Sequence, residues 1–220
     1  CMITLGIEST AHTLGVATIK DKQILSNAKH SYTTKTGGMR PIDAAEHHLA
    51  HVEPLLKEAL KEANIKPEDI DLIAFSISPG IGNTLRVGAA LARSLSLLLK
   101  KPLIGVNHCI AHLEIGKLRT KAKDPVMLYA SGANTQIIAY AEGKYRIFGE
   151  TLDIGIGNFL DTFARELDLG FPGGPMIEKE ANNGKLIELP YTVKGMDVSF
   201  GGLLTNLKQK ITSKEFERND

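Results

Sequence analysis

The chain opens with apolar, β-forming runs separated by short polar turns, a pattern that predicts a small β-meander. The first run is MITLGIES, and two further strands follow in LGVATIKDKQILSNAKHS around the turn KDK. Apolar residues then recur at spacings of three and four in PIDAAEHHLAHVEPLLKEALKEA, which predicts an amphipathic helix with Asp43 as its N-cap. The predicted apolar stripe consists of Ala45, Leu49, Val52, Leu56, Leu60 and Ala63.

The following segments alternate between strand and helix patterns. A strand is predicted in IDLIAFSISPG, a largely buried helix in NTLRVGAALARSLSLLLKK, and a short strand in PLIGVN. This alternation favours an α/β domain.

The strand, small-residue turn, strand, strand order of the first thirty residues recurs in PVMLYASGANTQIIAYAEGKYRIFGETLD. With one gap, Ala11-His12-Thr13 aligns with Ala133-Asn134-Thr135. Two such turns can face each other across a cleft and hold phosphates, the plan of the actin-like ATPase, sugar kinase and Hsp70 architecture. The alternative is two unrelated meanders that look alike. We predict an α/β fold with this duplicated architecture and domains at 1–124 and 125–220.

The second half is predicted to be incomplete. Helices are expected in DIGIGNFLDTFARELDL, in the segment after GFPGGP, and in FGGLLTNLKQKITSKEFERND, and no strands follow to complete a second sheet. We therefore expect the chain to be part of something longer.

The composition of the chain narrows the range of possible partners. The 26 basic and 25 acidic side chains nearly balance, so no whole-molecule field attracts the chain to nucleic acid or a membrane. The only cysteines are Cys1 and Cys109, and no signal peptide or membrane-spanning run is present. We expect a cytoplasmic protein without a membrane partner.

The segment GVNHCIAHLEIG places His108 and His112 four residues apart, on one face of a predicted helix. Both imidazoles can share one metal ion there, although the spacing alone favours two packing or capping histidines. A zinc peptidase is disfavoured because Cys109 stands where the general-base Glu would follow the first histidine. A catalytic ion needs a further ligand, and Tyr129, at the end of the repeated strand, is the oxygen candidate.

A second histidine pair, His47 and His51, has the same spacing but flanks the apolar stripe of a regular helix. We interpret it as a partly buried polar seam in preference to a ligand pair.

Two loops are candidates for anion binding. The segment SISPGIGNTLRVG offers Ser78, Asn83 and Thr84 before a helix, but it lacks the Gly-Lys-Ser/Thr of a P-loop and is equally explained as a strand-to-helix turn. The stronger phosphate-loop candidate is YASGANTQ, because it recurs as IESTAHT in the first half.

Seven motifs occur in order along the chain: GIEST, SPGIGNTLRVG, GVNHCIAH, LYASGANTQI, FGETLDIGIGNFLD, PGGP and LPYTVKGMDVSFGGLLT. Together they resemble the TsaD family, in its archaeal form the catalytic subunit of the KEOPS complex, from about Met2 to Thr205. The resemblance implies transfer of a threonylcarbamoyl group from threonylcarbamoyl-AMP to N6 of the adenosine next to the anticodon, in tRNAs that read ANN codons.

The resemblance also implies site residues. The metal ligands would be His108, His112 and Tyr129. The adenylate would contact Tyr129, Ala130, Ser131, Gly132 and Ala133, and its nucleoside would contact Asp161, Gly174 and Glu178. Without the resemblance, Asp161 and Glu178 are explained as surface charges. The family usually has Val-Ser-Gly-Gly at 130–133, so Ala133 adds a methyl group where glycine has conformational freedom. An Asn for the nucleoside and an Asp for the metal are expected beyond Asp220.

The implied cofactor is one divalent metal, iron first, with zinc and magnesium as alternatives. The implied partners are tRNA and the KEOPS subunits, including its small protein kinase. The basic segment with Lys117, Arg119, Lys121 and Lys123 is expected to contact tRNA phosphate. The alternative is that this segment is a solvated helix end. Two other functions stay open: a kinase or O-carbamoyltransferase of the same fold acting on a small molecule, and a non-catalytic scaffold.

Overall fold

A computed structural model describes residues 2–35 and 37–213. The chain divides into two compact units, the described residues within 1–32 and 39–121 and those within 33–38 and 122–220. This division does not test whether 1–124 and 125–220 are separate domains, so that assignment stays a prediction. No helix among the described residues is both long and apolar enough to cross a membrane.

The first unit is a five-stranded sheet with helices packed against it. Strand order is β3-β2-β1-β4-β5, with β1, β4 and β5 parallel and the first three strands forming an antiparallel meander. The elements are β1 (Ile3–Glu8), β2 (Thr13–Lys20), β3 (Gln23–Ser31), α1 (Pro41–Ala63), β4 (Leu72–Ser78), α2 (Gly82–Leu99), β5 (Leu103–Asn107) and α3 (His108–Arg119), with a short 3-10 helix at Pro67–Asp69.

Alternation along the strands builds the core of this unit. Because successive side chains of a strand point to opposite faces, buried residues alternate along the centres of β1 and β2, whereas β4 buries Ile73, Phe75 and Ser76. Helices α1 and α2 contact each other and the sheet. The fully buried core side chains include Leu5, Leu14, Val16, Ile70 and Ile73.

The second unit repeats the three-stranded antiparallel meander, in the order β6-β7-β8. Thr13 begins β2 and Thr135 begins β7, as the alignment of the two turns predicts. The elements are β6 (Met127–Ala130), β7 (Thr135–Ala141), β8 (Lys144–Glu150), α4 (Ile156–Glu166), α5 (Gly173–Ala181), β9 (Val193–Lys194), β10 (Asp197–Val198) and α6 (Gly201–Ser213). Part of the last predicted helix, 214–220, lies outside the described residues.

Residues 33–38 join the second unit through a backbone pairing. Thr34 N–H donates to the Phe171 carbonyl at 3.2 Å, and Phe171 N–H donates to the Thr34 carbonyl at 3.0 Å. The segment between β3 and α1 therefore belongs with residues far along the chain.

Four details differ from the sequence-based expectations. The N-cap of α1 is Arg40, and Asp43 lies within the first turn. Leu49 is 64% exposed, because the buried face of α1 passes through His48 and Leu55. The helix α2 is not largely buried: its buried residues lie on one face. A short ribbon, β9–β10, was also missed, since two-residue strands are too short to show a period.

Asp153 ties the turn after β8 to the start of α6. Its carboxylate accepts hydrogen bonds from the backbone N–H groups of Ile154, Phe200 and Gly201 at 2.7 to 2.9 Å. Partial burial opposes ionisation, but these backbone donors outweigh it and lower the pKa of Asp153 below 3.8. An anion is also favoured at a helix N-terminus.

We expect Leu14→Ala to lower the free energy of unfolding by ~2–5 kcal/mol, because Leu14 is fully buried and its truncation leaves a cavity. Urea denaturation measures the loss. Leu97→Ala is the matched control, with an expected change within ~0.5 kcal/mol since Leu97 is 80% exposed. Equal effects of the two substitutions would contradict the packing described.

We expect Asp153→Asn to destabilise the protein at neutral pH. Because the folded pKa of Asp153 is lowered, its stabilisation is present above the unfolded pKa and is lost as pH falls through the folded pKa. The stability gap between wild type and variant should therefore shrink below about pH 4. Thermal unfolding from pH 7 down to pH 3 measures this gap, and a gap independent of pH would show that the carboxylate charge has no role.

Candidate functional site

His108 and His112 lie in the first two turns of α3, which begins directly after β5. Asn107 caps this helix: its side-chain oxygen accepts from the N–H groups of Cys109 at 2.9 Å and Ile110 at 3.2 Å. One helical turn separates the two imidazoles, and their Nε2 atoms lie 3.1 Å apart. The structure thus brings together the two histidines that the sequence spacing pairs.

Glu8, at the end of β1, contacts the first of these histidines. Its Oε2 accepts from His108 Nδ1 at 2.9 Å, and its Oε1 accepts from the hydroxyl of Thr10 and, at 2.7 Å, from its N–H. Burial of Glu8 opposes ionisation, but the hydrogen bonds from His108 and Thr10 outweigh it and lower the pKa of the carboxyl group. An ionised Glu8 can only accept, so the proton of a neutral His108 sits on Nδ1.

This arrangement fits a metal ion. With the proton on Nδ1, the Nε2 lone pair of His108 faces His112 Nε2. Two imidazole nitrogens of a tetrahedral zinc-type site are about 3.3 Å apart, given metal–nitrogen distances of ~2.0–2.1 Å. Burial and the neighbouring His108 lower the pKa of His112, which favours the neutral, ligating form. Metal-binding histidines commonly donate their other N–H to a carboxylate, as His108 does here.

The turn between β1 and β2 is held by the loop before α2. Ile81 N–H donates to the Thr10 carbonyl at 2.7 Å, and a Cβ on Gly80 would lie 2.6 Å from that carbonyl oxygen. Thr84 is fully buried and its hydroxyl donates to the Ile81 carbonyl at 3.0 Å. The segment SISPGIGNTLRVG thus forms a strand-to-helix turn that contacts Thr10, the neighbour of Glu8 in the site, and its anion binding stays a prediction.

In the second unit, the phosphate-loop candidate closes on itself. Ser131 N–H and Oγ both donate to the Asn134 carbonyl at 3.0 Å, and Asn134 N–H donates to Ser131 Oγ at 3.2 Å. Tyr129 is buried at the end of β6, while Gly132 and Ala133 are exposed at the tip. The exposed backbone at the tip is the part that a phosphate group can approach.

The start of α4 packs against this loop without intervening side chains. Gly157 and Asn158 N–H donate to the Ser131 and Gly132 carbonyls at 2.9 and 3.0 Å. A Cβ on Gly157 would lie 2.8 Å from the Gly132 Cα, so glycine is required there by close approach. Ala133 is not among the described residues with positive φ, so its methyl group causes no backbone strain.

The three residues expected at the nucleoside lie on α4 and α5, which pack together. Asp161 on α4 accepts from the Gly173 N–H at 2.7 Å and so caps α5. Gly174 is in the first turn of α5 and Glu178 is exposed one turn later. The structure explains Asp161 as a helix cap, and the predicted contacts of all three residues with a nucleoside stay predictions.

Comparison with known proteins identifies the family. The model of the TsaD family, described as tRNA N6-adenosine threonylcarbamoyltransferase, matches residues 23–219. A protein of that name from Thermococcus sibiricus is 57% identical over the whole chain, which spans 68% of it. The chain belongs to the TsaD family. A relative from Thermoplasma volcanium, 53% identical, is called a probable bifunctional tRNA threonylcarbamoyladenosine biosynthesis protein, and the chain spans 41% of it.

The fold of this TsaD chain is confirmed as well. The (R)-2-hydroxyglutaryl-CoA dehydratase component A of Acidaminococcus fermentans superposes with a TM-score of 0.56 at 16% identity, covering 100% of this chain and 71% of that one. The predicted actin-like ATPase, sugar kinase and Hsp70 fold class is therefore correct.

Sequence reasoning missed Glu8 and Thr10 as members of the candidate metal site. The motif GIEST contains both residues, but its side chains were not predicted to contact the metal site. Glu8 ends a strand at the edge of the sheet where α/β folds bind ligands. The shared metal role of Tyr129, in the second unit, stays a prediction.

We expect Gly157→Ala to displace the loop at 131–134 and to lower the free energy of unfolding by ~1–3 kcal/mol, because the added methyl group would overlap backbone atoms. Urea denaturation measures the loss, and amide hydrogen exchange at Asn134 reports the displacement. Gly202→Ala in α6 is the control, since nothing lies within 4 Å of its added Cβ. If both variants match wild type, the close packing described here is wrong.

Proposed function

We propose that the chain acts in tRNA threonylcarbamoyladenosine synthesis, by transfer of the threonylcarbamoyl group from threonylcarbamoyl-AMP to N6 of adenosine next to the anticodon. In this reaction the adenosine amine attacks the carbamoyl carbon and AMP leaves. The contact of Glu8 with His108, beside His112, is the observation that carries the proposal. It supports acyl transfer at a metal site in a chain whose family performs that reaction.

The metal would be held by His108 and His112, and Tyr129 is proposed to share it. Iron is proposed first, with zinc and magnesium as alternatives. Imidazole nitrogen is a ligand that suits iron and zinc, whereas carboxylate and water oxygens suit magnesium. When bound, such an ion supplies a Lewis acid for phosphate and carbamoyl oxygens. Glu8 keeps the His108 proton on Nδ1 and so presents Nε2 for ligation.

The donor would be held by the second unit. Exposed Gly132 and Ala133 offer backbone to the phosphate, and the α4 N-terminus keeps their loop in one conformation. Asp161, Gly174 and Glu178 are proposed to contact the nucleoside. No general base is assigned.

We further propose that tRNA binding is shared with partners. Near-neutral net charge gives little long-range attraction for RNA, and Lys117 already pairs with Glu114 at 3.0 Å. The bifunctional name of the Thermoplasma volcanium relative supports a second activity working with this one. The proposed partners are the KEOPS subunits with their small kinase, acting in the cytoplasm.

We expect His108→Ala and His112→Ala each to reduce tRNA modification on the order of 10²-fold or more, because either loss leaves one imidazole for the ion. The assay uses full-length protein, tRNA, threonine, bicarbonate, ATP, the adenylate-forming enzyme and the partner subunits. Mass spectrometry of digested tRNA measures the modified adenosine.

Glu114→Gln is the matched control on the same helix, because Glu114 is exposed and forms an ion pair with Lys117. It should retain activity. Full activity of both alanine variants would remove the metal role of these histidines. If the wild-type protein produces no modified adenosine, the tRNA proposal is wrong and a small-molecule substrate is favoured.

A further inference from the structure

Three histidines from two elements of the first unit form a second cluster, which we call the β3–α1 histidine cluster: His30, His47 and His51. His30 lies near the end of β3, and the other two lie one turn apart in the first half of α1. One ring nitrogen from each lies within 4.8 Å of the others. Within the described residues, it is the only group of three or more His, Cys, Asp or Glu side chains that meets this spacing.

The rings face one another closely. His30 and His51 are stacked with centroids 3.9 Å apart, and His47 and His51 have centroids 4.3 Å apart. His30 Nδ1 and His47 Nε2 are 2.7 Å apart. The nitrogens of His30 and His47 are closer together than the separation of about 3.3 Å in a tetrahedral site, while the set of three lies within 4.8 Å. Side-chain rotations would therefore be needed for three lone pairs to point to one ion.

A backbone contact orients one member of the cluster. His51 Nδ1 lies 2.7 Å from the His47 carbonyl oxygen, and only an N–H can donate to a carbonyl. His51 Nε2 is therefore the nitrogen left for ligation when the ring is neutral. A histidine ligand that donates its other N–H to a backbone carbonyl is a common arrangement at metal sites.

The contact between two of the rings is compatible with an ion. The hydrogen bond between His30 Nδ1 and His47 Nε2 requires a proton on one of these two nitrogens. A metal ion would take the place of that proton and engage both lone pairs.

We propose that His30, His47 and His51 bind one divalent transition ion of the zinc class, with water as the fourth ligand. Three imidazoles match the ligand preference of such ions, which bind nitrogen in tetrahedral geometry. The ion joins β3 to α1, which are 17 residues apart at His30 and His47. The ion would link an edge strand to the helix that packs against it.

This site differs from the one at His108 and His112. Strand order places β3 at one edge of the sheet and β5, which leads to His108, at the other. The interpretation of His47 and His51 as a polar seam omitted His30, because a strand residue cannot be paired with a helix by spacing.

The test separates the two sites by mutation. Full-length protein carrying His108→Ala and His112→Ala is freed of metal with a chelator and titrated with Zn²⁺ by calorimetry. Co²⁺ is then used as a probe, because its visible absorption intensifies in tetrahedral sites. We expect one equivalent of Zn²⁺ to bind, the tetrahedral Co²⁺ spectrum to appear, and the melting temperature to rise with Zn²⁺.

Adding His30→Gln and His51→Gln to this background should weaken Zn²⁺ binding at least ~100-fold and abolish the Co²⁺ spectrum, with a native circular dichroism spectrum. His12→Gln in the same background is the control for loss of a histidine, and it should bind Zn²⁺ normally. The proposal is overturned if the background protein binds no Zn²⁺, or if the His30 and His51 substitutions leave binding unchanged. Neither result bears on tRNA modification.

Discussion

The hydrogen bond between Glu8 and His108 joins residues 100 positions apart, and the candidate metal site depends on it. It forms because β1, β4 and β5 run parallel and end at one edge of the sheet. A register slip of one residue would turn Glu8 to the opposite face. The core side chains that fix the register, such as Leu5 and Ile73, therefore also fix the side chains of the site.

Local patterns were enough to predict most of the fold. The strands and helices were found because hydrophobic periodicity and turn residues act within a few positions, and the repeated meander was visible for the same reason. The errors concern which face of a helix is buried. The exposure of Leu49 is decided by how α1 lies on the sheet, which its own sequence does not specify.

The candidate site shows the same division between local and long-range information. His108 and His112 were found because their spacing is a property of one helix. Glu8 was missed because it reaches His108 through the order of strands in the sheet, and His30 was missed because it lies on a strand while its partners lie on a helix. The assignments at Asp161 and Glu178 came from family resemblance, whereas the loop at Ser131 was also indicated by its recurrence in the first half. Geometry adds that Asp161 accepts from the Gly173 N–H and that the loop closes through hydrogen bonds between Ser131 and Asn134.

The pairing of Thr34 with Phe171 gives the chain an interlaced connectivity. Since residues 33–38 belong to the second unit, the backbone passes from one unit to the other at 32/33, 38/39 and 121/122. A single cut near residue 121 therefore releases 122–220 but leaves 33–38 covalently joined to the first unit. Splitting the gene there would separate 33–38 from the second unit, with which this segment pairs. Replacing the second unit by that of a relative therefore requires two grafted pieces, 33–38 and 122–220.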